Sequence, residues 1–160
     1  LYTKGLNNFV YENINRVAQS ETDANGRVLF GTFNATGQAT YARVDPRLDA
    51  VLEAKNQSED YSYSLTGQLR KRFTDFWEGT AAYTYGRSYS VSDLTSSVAF
   101  SNWQFGRMLA GGQDSRRTAP SAFDQPHRIL LAGTVTAPWK STDVSFIYQA
   151  ASGTPFAFSY

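Results

Sequence analysis

The stretch that decides the fold is residues 61–90, Tyr-Ser-Tyr-Ser-Leu-Thr-Gly-Gln-Leu-Arg-Lys-Arg-Phe-Thr-Asp-Phe-Trp-Glu-Gly-Thr-Ala-Ala-Tyr-Thr-Tyr-Gly-Arg-Ser-Tyr-Ser. Odd positions of the first arm carry Tyr61, Tyr63, Leu65, Gly67, Leu69 and Phe73, broken only by Lys71. Even positions carry Ser62, Ser64, Thr66, Gln68, Arg70 and Arg72, all polar. Side chains alternate faces along a strand, so this pattern predicts one strand with an apolar and a polar side. The second arm repeats the split, with Trp77, Gly79, Ala81, Tyr83 and Tyr85 against Glu78, Thr80, Thr84 and Ser88. Both arms outrun the roughly five or six residues of an average globular strand. A membrane barrel needs strands of about 9–11 residues merely to cross.

Keeping the apolar faces together across the turn predicts Phe73 opposite Trp77, with a short turn at residues 74–76. That register sets Leu69 by Ala81, Gly67 by Tyr83, Leu65 by Tyr85 and Arg72 by Glu78. A slip of one residue would mix the faces, so the parity is strongly specified. Tyr83 is expected to cover Gly67, as aromatic residues repair strand glycines.

A second hairpin is expected at residues 127–151. Ile129, Leu131, Gly133, Val135 and Ala137 share one face, and Val144, Phe146, Tyr148 and Ala150 resume it. A short turn at residues 140–141 puts Gly133 opposite Tyr148. Between these hairpins and their neighbours the gaps alternate long and short: about 18–45, 74–76, about 91–126, and 140–141. Outer-membrane barrels alternate long extracellular loops with short periplasmic turns in this way. Phe73, Phe76, Trp77 and Trp139 gather at the short-turn ends, where an aromatic girdle belongs, and Phe73, Trp77 and Trp139 are its candidate members. The expected fold is therefore all-β: an antiparallel meander of long strands, part of a transmembrane β-barrel that this chain alone does not close.

The remaining segments are less regular. Residues 1–17 read as a strand with a bulge near Asn7-Asn8. Within the first long loop a small hairpin is expected about Asn25-Gly26. Glu21, Asp23 and Asn25 resemble the start of a calcium loop, but its twelfth position holds Thr32 where an acid is required, so a plain turn is expected. Asn34-Ala-Thr36 is a glycosylation sequon, a pattern too common to weigh. Residues 48–55 fit a helical face or a strand, with strand favoured because residue 61 follows so soon. Residues 91–126 show no sustained period, and Trp103, Phe105, Met108 and Leu109 are expected to pack that loop on itself.

Composition narrows the function. The chain has 160 residues, no cysteine and one histidine, His127, which removes disulfides, thiolate metal sites and His-rich clusters. Lys+Arg 15 against Asp+Glu 14 leaves a net charge of +1, so no nucleic-acid partner is expected. No run approaches the roughly 18 apolar residues of a membrane helix, a test to which alternating barrel strands are blind. No spacing supports a catalytic triad, a metal site or a cofactor site, and no enzyme activity is expected. The same alternation also describes a soluble β-sandwich whose apolar face lines a core, for example a carbohydrate-binding module with aromatic loops. A passive porin-type barrel is a further alternative.

Several pieces resemble the barrel of Oar-like TonB-dependent receptors of bacterial outer membranes. They are Leu1-Tyr-Thr-Lys-Gly-Leu-Asn7, the Tyr61, Leu65, Leu69, Lys71-Arg72-Phe73 series, and Ala82-Tyr-Thr-Tyr-Gly-Arg-Ser88. Asp124-x-x-His127-Arg128 with Gly133, and Ser152-Gly-Thr-Pro-Phe156, follow in that family's order. The resemblance implies a barrel segment in the bacterial outer membrane, taking part in active uptake of an unknown substrate. Its partners would be outer-membrane lipid, the receptor's own plug domain, which has no counterpart here, and through the plug TonB. Together with the start at Leu1, it leads us to expect a piece of a longer protein; a closing strand is not evident at Tyr160.

In such a barrel Leu65, Leu69, Tyr83, Tyr85, Leu131, Val135, Phe146 and Tyr148 would face lipid. Gln68, Arg70, Arg72, Glu78 and Arg128 would face the lumen, where contact with the plug is favoured over ligand specificity. Trp103, Phe105, Asp124 and His127 are candidate extracellular contacts. For Asp124 the favoured role is structural, with hydrogen bonds to neighbouring strands at the barrel rim.

Overall fold

The computed structural model of the chain describes residues 1–17, 24, 26, 30–36, 38–107, 114, 116–137, 139 and 142–156. The calcium-like positions Glu21, Asp23 and Asn25, the loop residues Met108 and Leu109, the turn residues 140–141 and Tyr160 lie outside them. The elements in chain order are β1 (Tyr2–Lys4), β2 (Asn8–Asn13), β3 (Gly31–Phe33), β4 (Ala39–Tyr41), β5 (Leu52–Gln57), β6 (Tyr61–Thr74) and β7 (Trp77–Ser90). Helix α1 (Ala99–Gln104), β8 (Ala119–Pro120), β9 (His127–Ala137) and β10 (Thr142–Ala151) complete them. The architecture is mostly antiparallel β-sheet, and no closed barrel forms. Two compact units divide the chain. One contains Leu1–Lys4, Tyr61–Tyr89 and residues 120–156; the other contains Gly5–Asp60 and Ser90–Ala119.

The first unit is a meander, β1-β6-β7-β9-β10, with every pair antiparallel. Leu65↔Tyr85, Gly67↔Tyr83, Leu69↔Ala81 and Arg72↔Glu78 are partners as the alternation requires. The turn differs. Thr74, not Phe73, pairs with Trp77, and the register shifts between Arg72 and Thr74. Phe73 is the extra residue of a bulge, and its ring stacks on Trp77 at 3.9 Å and 5°. Bulges lie beyond reach of parity counting because they cost one residue of register without moving the distant pairs.

The second hairpin also keeps its faces while shifting by two residues. Ala137 pairs with Thr142, so Gly133 faces Phe146 and Leu131 faces Tyr148. A shift of two preserves parity, which is why the apolar pattern alone does not exclude it. Phe146 covers Gly133 closely, since a Cβ there would come within 2.3 Å of the ring. Gly67, by contrast, has no atom within 4 Å of where its Cβ would be, so Tyr83 does not cover it.

The second unit has an interior that mixes apolar Val10, Val91 and Trp103 with polar Asn13, Asn15 and Asn102. Strand β2 pairs with β5 from Asn8↔Gln57 to Asn13↔Leu52, which settles residues 52–57 as strand. The break between β1 and β2 falls at residues 5–7, where Asn7 takes a positive φ of 59°. The hairpin in the first long loop is β3–β4, and the Asn34 side chain organises its turn by accepting the N–H groups of Thr36 and Gln38 at 3.1 and 2.8 Å. The buried amide of Asn15 donates to the carbonyls of Asp45, Leu48 and Asp49 at 3.0–3.2 Å and accepts the Asp45 N–H at 2.8 Å. One side chain thereby satisfies four backbone groups of the loop before β5.

Helix α1, at six residues too short to produce a period, is held by Asn102. Its amide exchanges hydrogen bonds with the backbone of Ser96 at 2.9 and 2.7 Å. Trp103 on the same helix is buried and donates its Nε1–H to Asp114 at 2.8 Å. Asp114 also pairs with Arg16 at 3.4 Å, and the Arg16 guanidinium lies 4.2 Å from the Phe30 ring centre and 5.3 Å from that of Trp103.

Candidate functional surfaces

Strand parity and register assign the first unit two chemically opposite faces. On one, successive rows read Leu65–Tyr85–His127, Gly67–Tyr83–Ile129–Ala150, Leu69–Ala81–Leu131–Tyr148, Lys71–Gly79–Gly133–Phe146 and Trp77–Val135–Val144. All eight residues expected to face lipid lie here together. None is covered: Leu65 is 77% exposed, Leu69 69%, Val144 64% and Phe146 58%. The buried apolar side chains among the described residues are Val10, Val91 and Trp103, none of them in this unit.

On the opposite face the rows are Thr66–Thr84–Arg128–Ala151, Gln68–Ala82–Leu130–Gln149, Arg70–Thr80–Ala132–Ile147 and Arg72–Glu78–Thr134–Ser145. Gln68, Arg70, Arg72, Glu78 and Arg128 share this face. Hydroxyl pairs tie neighbouring strands, Thr66 to Thr84 at 2.8 Å and Thr134 to Ser145 at 2.9 Å. Glu78 is held by Arg70, whose Nη2 reaches both carboxylate oxygens at 3.0 and 3.1 Å, and not by Arg72 directly opposite. The diagonal partner lets the long arginine reach along the pleat. Being exposed, this pair contributes little stability.

The two ends of the apolar face are aromatic. Phe73 and Trp77 stack at the β6–β7 turn, Thr136 N–H donates to Phe76 O at 2.6 Å, and exposed Trp139 lies in the β9–β10 turn. At the other end Tyr61 stacks on Tyr89 at 4.8 Å, and the Arg87 guanidinium lies 5.4 Å from the Tyr89 ring centre. The alternation of both arms places Tyr61 and Tyr89 at this end, but not their stacking or the Arg87 contact.

Asp124 and His127 lie at that same end. Asp124 is 2% exposed; its Oδ1 accepts the Ser88 N–H at 2.7 Å, and its Oδ2 stands 3.0 Å from Arg87 Nε. The latter is an ion pair without hydrogen-bond alignment. Gly86 N–H donates to Pro126 O and Ser121 N–H to Ser88 O, both at 2.9 Å. A carboxylate thus stands where the β7–β9 ladder would next supply a carbonyl. His127 opens β9 on the apolar face, its Nδ1 2.7 Å from the Tyr83 hydroxyl and its ring 5.4 Å from that of Tyr85.

Trp103 and Phe105 belong to the second unit and part company there: Trp103 is buried, and Phe105 is exposed. Among the described residues no three His, Asp or Glu side chains converge as a metal site, and no helix is long and apolar enough to cross a membrane. In comparison with known proteins, the chain matches no family model, no curated protein and no solved structure.

Proposed function

We propose that this chain is a wall segment of an outer-membrane transporter barrel of the TonB-dependent kind, acting in uptake of a substrate driven through a plug domain. The face of Leu65, Leu69, Tyr83, Tyr85, Leu131, Val135, Phe146 and Tyr148 meets lipid. The face of Gln68, Arg70, Arg72, Glu78 and Arg128 meets the lumen.

The observation that carries this reading is the uncovered apolar face. Eleven apolar or aromatic side chains in its rows, from Leu65 to Tyr148, are exposed. Burying such a side chain fully is worth about 1.5–3 kcal/mol, so leaving all of them half-exposed in water forgoes on the order of 10 kcal/mol. That is comparable to the whole stability of a domain, about 5–15 kcal/mol. Monomeric proteins in water rarely carry such a surface, whereas lipid satisfies it without a second layer. A β-sandwich would need a facing sheet on these side chains, and the described residues supply none.

Dimensions agree with the membrane. From Trp77 to Tyr89 the strand rises about 40 Å at ~3.3 Å per residue, or about 30 Å along the normal at a tilt near 40°. An apolar band of ~25 Å with an aromatic girdle at each rim fits that span. The choice of a transporter over a passive porin rests on the resemblance to Oar-like receptors.

The test uses the whole protein. Its reading frame is expected to encode a plug domain and a TonB box upstream, and the purified protein to migrate heat-modifiably on gels. An upstream region without a plug, or release from membranes by carbonate, would overturn the proposal.

A further inference from the structure

The second unit contains a cavity of about 180 Å³ whose rim includes Tyr41, Arg43, Asp49 and Phe100, with Arg16 and Trp103 behind them. The geometry points to a subsite for a single neutral sugar ring. This goes beyond the transport reading and stands on the second unit's own residues.

Size comes first. Pockets for drug-sized ligands run to roughly 300–1,000 Å³, so this smaller one matches a single six-membered ring, with anything longer extending into solvent.

Charge decides the class. Both arginines at the cavity are already neutralised: Arg16 pairs with Asp114 at 3.4 Å and Arg43 with Asp49 at 2.5 Å. Arg16 is further occupied by the ring faces of Phe30, Trp103 and Tyr41, at 4.2, 5.3 and 5.8 Å from their centres. An anion arriving here would have to displace a carboxylate from an existing pair. A neutral polyhydroxyl ligand would not. The Asp49 side chain is open to solvent beyond its bond to Arg43, so its second oxygen can accept hydroxyl donors while the guanidinium donates to hydroxyl oxygens.

Aromatic surface completes the match. Tyr41 and Phe100 are exposed at the rim, and among the described residues the Tyr41 hydroxyl carries no hydrogen bond. A sugar ring presents C–H bonds on its faces and hydroxyls around its edge, so one ligand uses both kinds of group. A single ring in so open a site binds weakly, with dissociation constants in the millimolar range, as one residue of a longer glycan would.

Saturation-transfer NMR on the full chain in a sugar-free detergent tests this, with the methyl glycosides of glucose, galactose and N-acetylglucosamine as probes. Transfer to at least one glycoside is expected, weakened tenfold or more in Tyr41→Ala and in Asp49→Ala but retained in Tyr41→Phe. Circular dichroism checks that each variant keeps its strands, and both substituted positions are surface-facing. No transfer to any glycoside at its solubility limit would overturn the proposal, as would equal binding by Tyr41→Ala. Displacement of the sugar by equimolar acetate or inorganic phosphate would overturn it in favour of an anion site. None of these outcomes touches the strand faces of the first unit, so the transport proposal stands or falls separately.

Discussion

The buried carboxylate of Asp124 accepts the backbone N–H of Ser88 at 2.7 Å, taking the place of a main-chain carbonyl where the ladder between β7 and β9 runs out. β7 runs on to Ser90 and pairs with β8 as well as β9, and an unpaired buried N–H on it would cost as much as a lost hydrogen bond. Asp124 supplies the acceptor for Ser88, with Arg87 as its counter-charge.

Removing the acceptor is therefore expensive. Asp124→Ala is expected to destabilise the protein by about 2–3 kcal/mol, leaving the Ser88 N–H unpaired and Arg87 without its partner. Asp124→Asn retains a carbonyl oxygen for Ser88 and should lose roughly half as much. Denaturant unfolding followed by circular dichroism distinguishes the two, and equal losses would show that the charge pair, not the capping bond, dominates.

Two glycines on the same face should respond in opposite directions. At Gly133 a Cβ would meet Phe146 at 2.3 Å, so Gly133→Ala must push the ring from its seat and is expected to cost about 1–3 kcal/mol. Gly67 has open space, so Gly67→Ala should stabilise by about 0.5–1 kcal/mol through the lost freedom of the unfolded chain. Thermal unfolding of both variants in one detergent checks the contrast.

In the loop before β5, Arg47 holds the Asp45 carboxyl below its ordinary value, first by side-chain and then by backbone hydrogen bonding. A depressed carboxyl stabilises the fold above its unfolded pKa, and that contribution disappears as pH falls through the lower folded value. NMR titration should find Asp45 more than half ionised where an unperturbed aspartate is half protonated. Arg47→Ala should move the midpoint back toward normal.

Legibility in the sequence followed strand period. The faces of β6, β7, β9 and β10 were readable because Leu65, Leu69, Leu131 and Val135 leave only one consistent parity. What parity cannot see was missed: the Phe73 bulge, and the shift by two that sets Phe146 rather than Tyr148 over Gly133. The Arg70–Glu78 pair was read as Arg72–Glu78 because direct opposition ignores the reach of a long side chain. The second unit was barely legible. Beside Val10, Val91 and Trp103 its interior holds Asn13, Asn15 and Asn102, whose burial no hydrophobic pattern announces, and α1 is too short for a period to develop. The start of β9 at His127 was legible, because Pro126 ends the loop before it and the alternating run begins there.

The central claim is that the two faces of one sheet meet two different media. These 160 residues contain no cysteine, so single cysteines can be introduced one at a time into the whole protein in its native membrane, with any cysteine elsewhere in it replaced by serine first. Cysteines at positions 65, 69, 131, 144 and 146 should resist a water-soluble maleimide, and a fluorophore placed there should be quenched by nitroxide lipids. Cysteines at 66, 68, 84, 128 and 149 should give the reverse. A strict alternation between quenching by lipid and labelling from water is the predicted result. Uniform labelling from water along both sets, with no quenching by lipid, would contradict it.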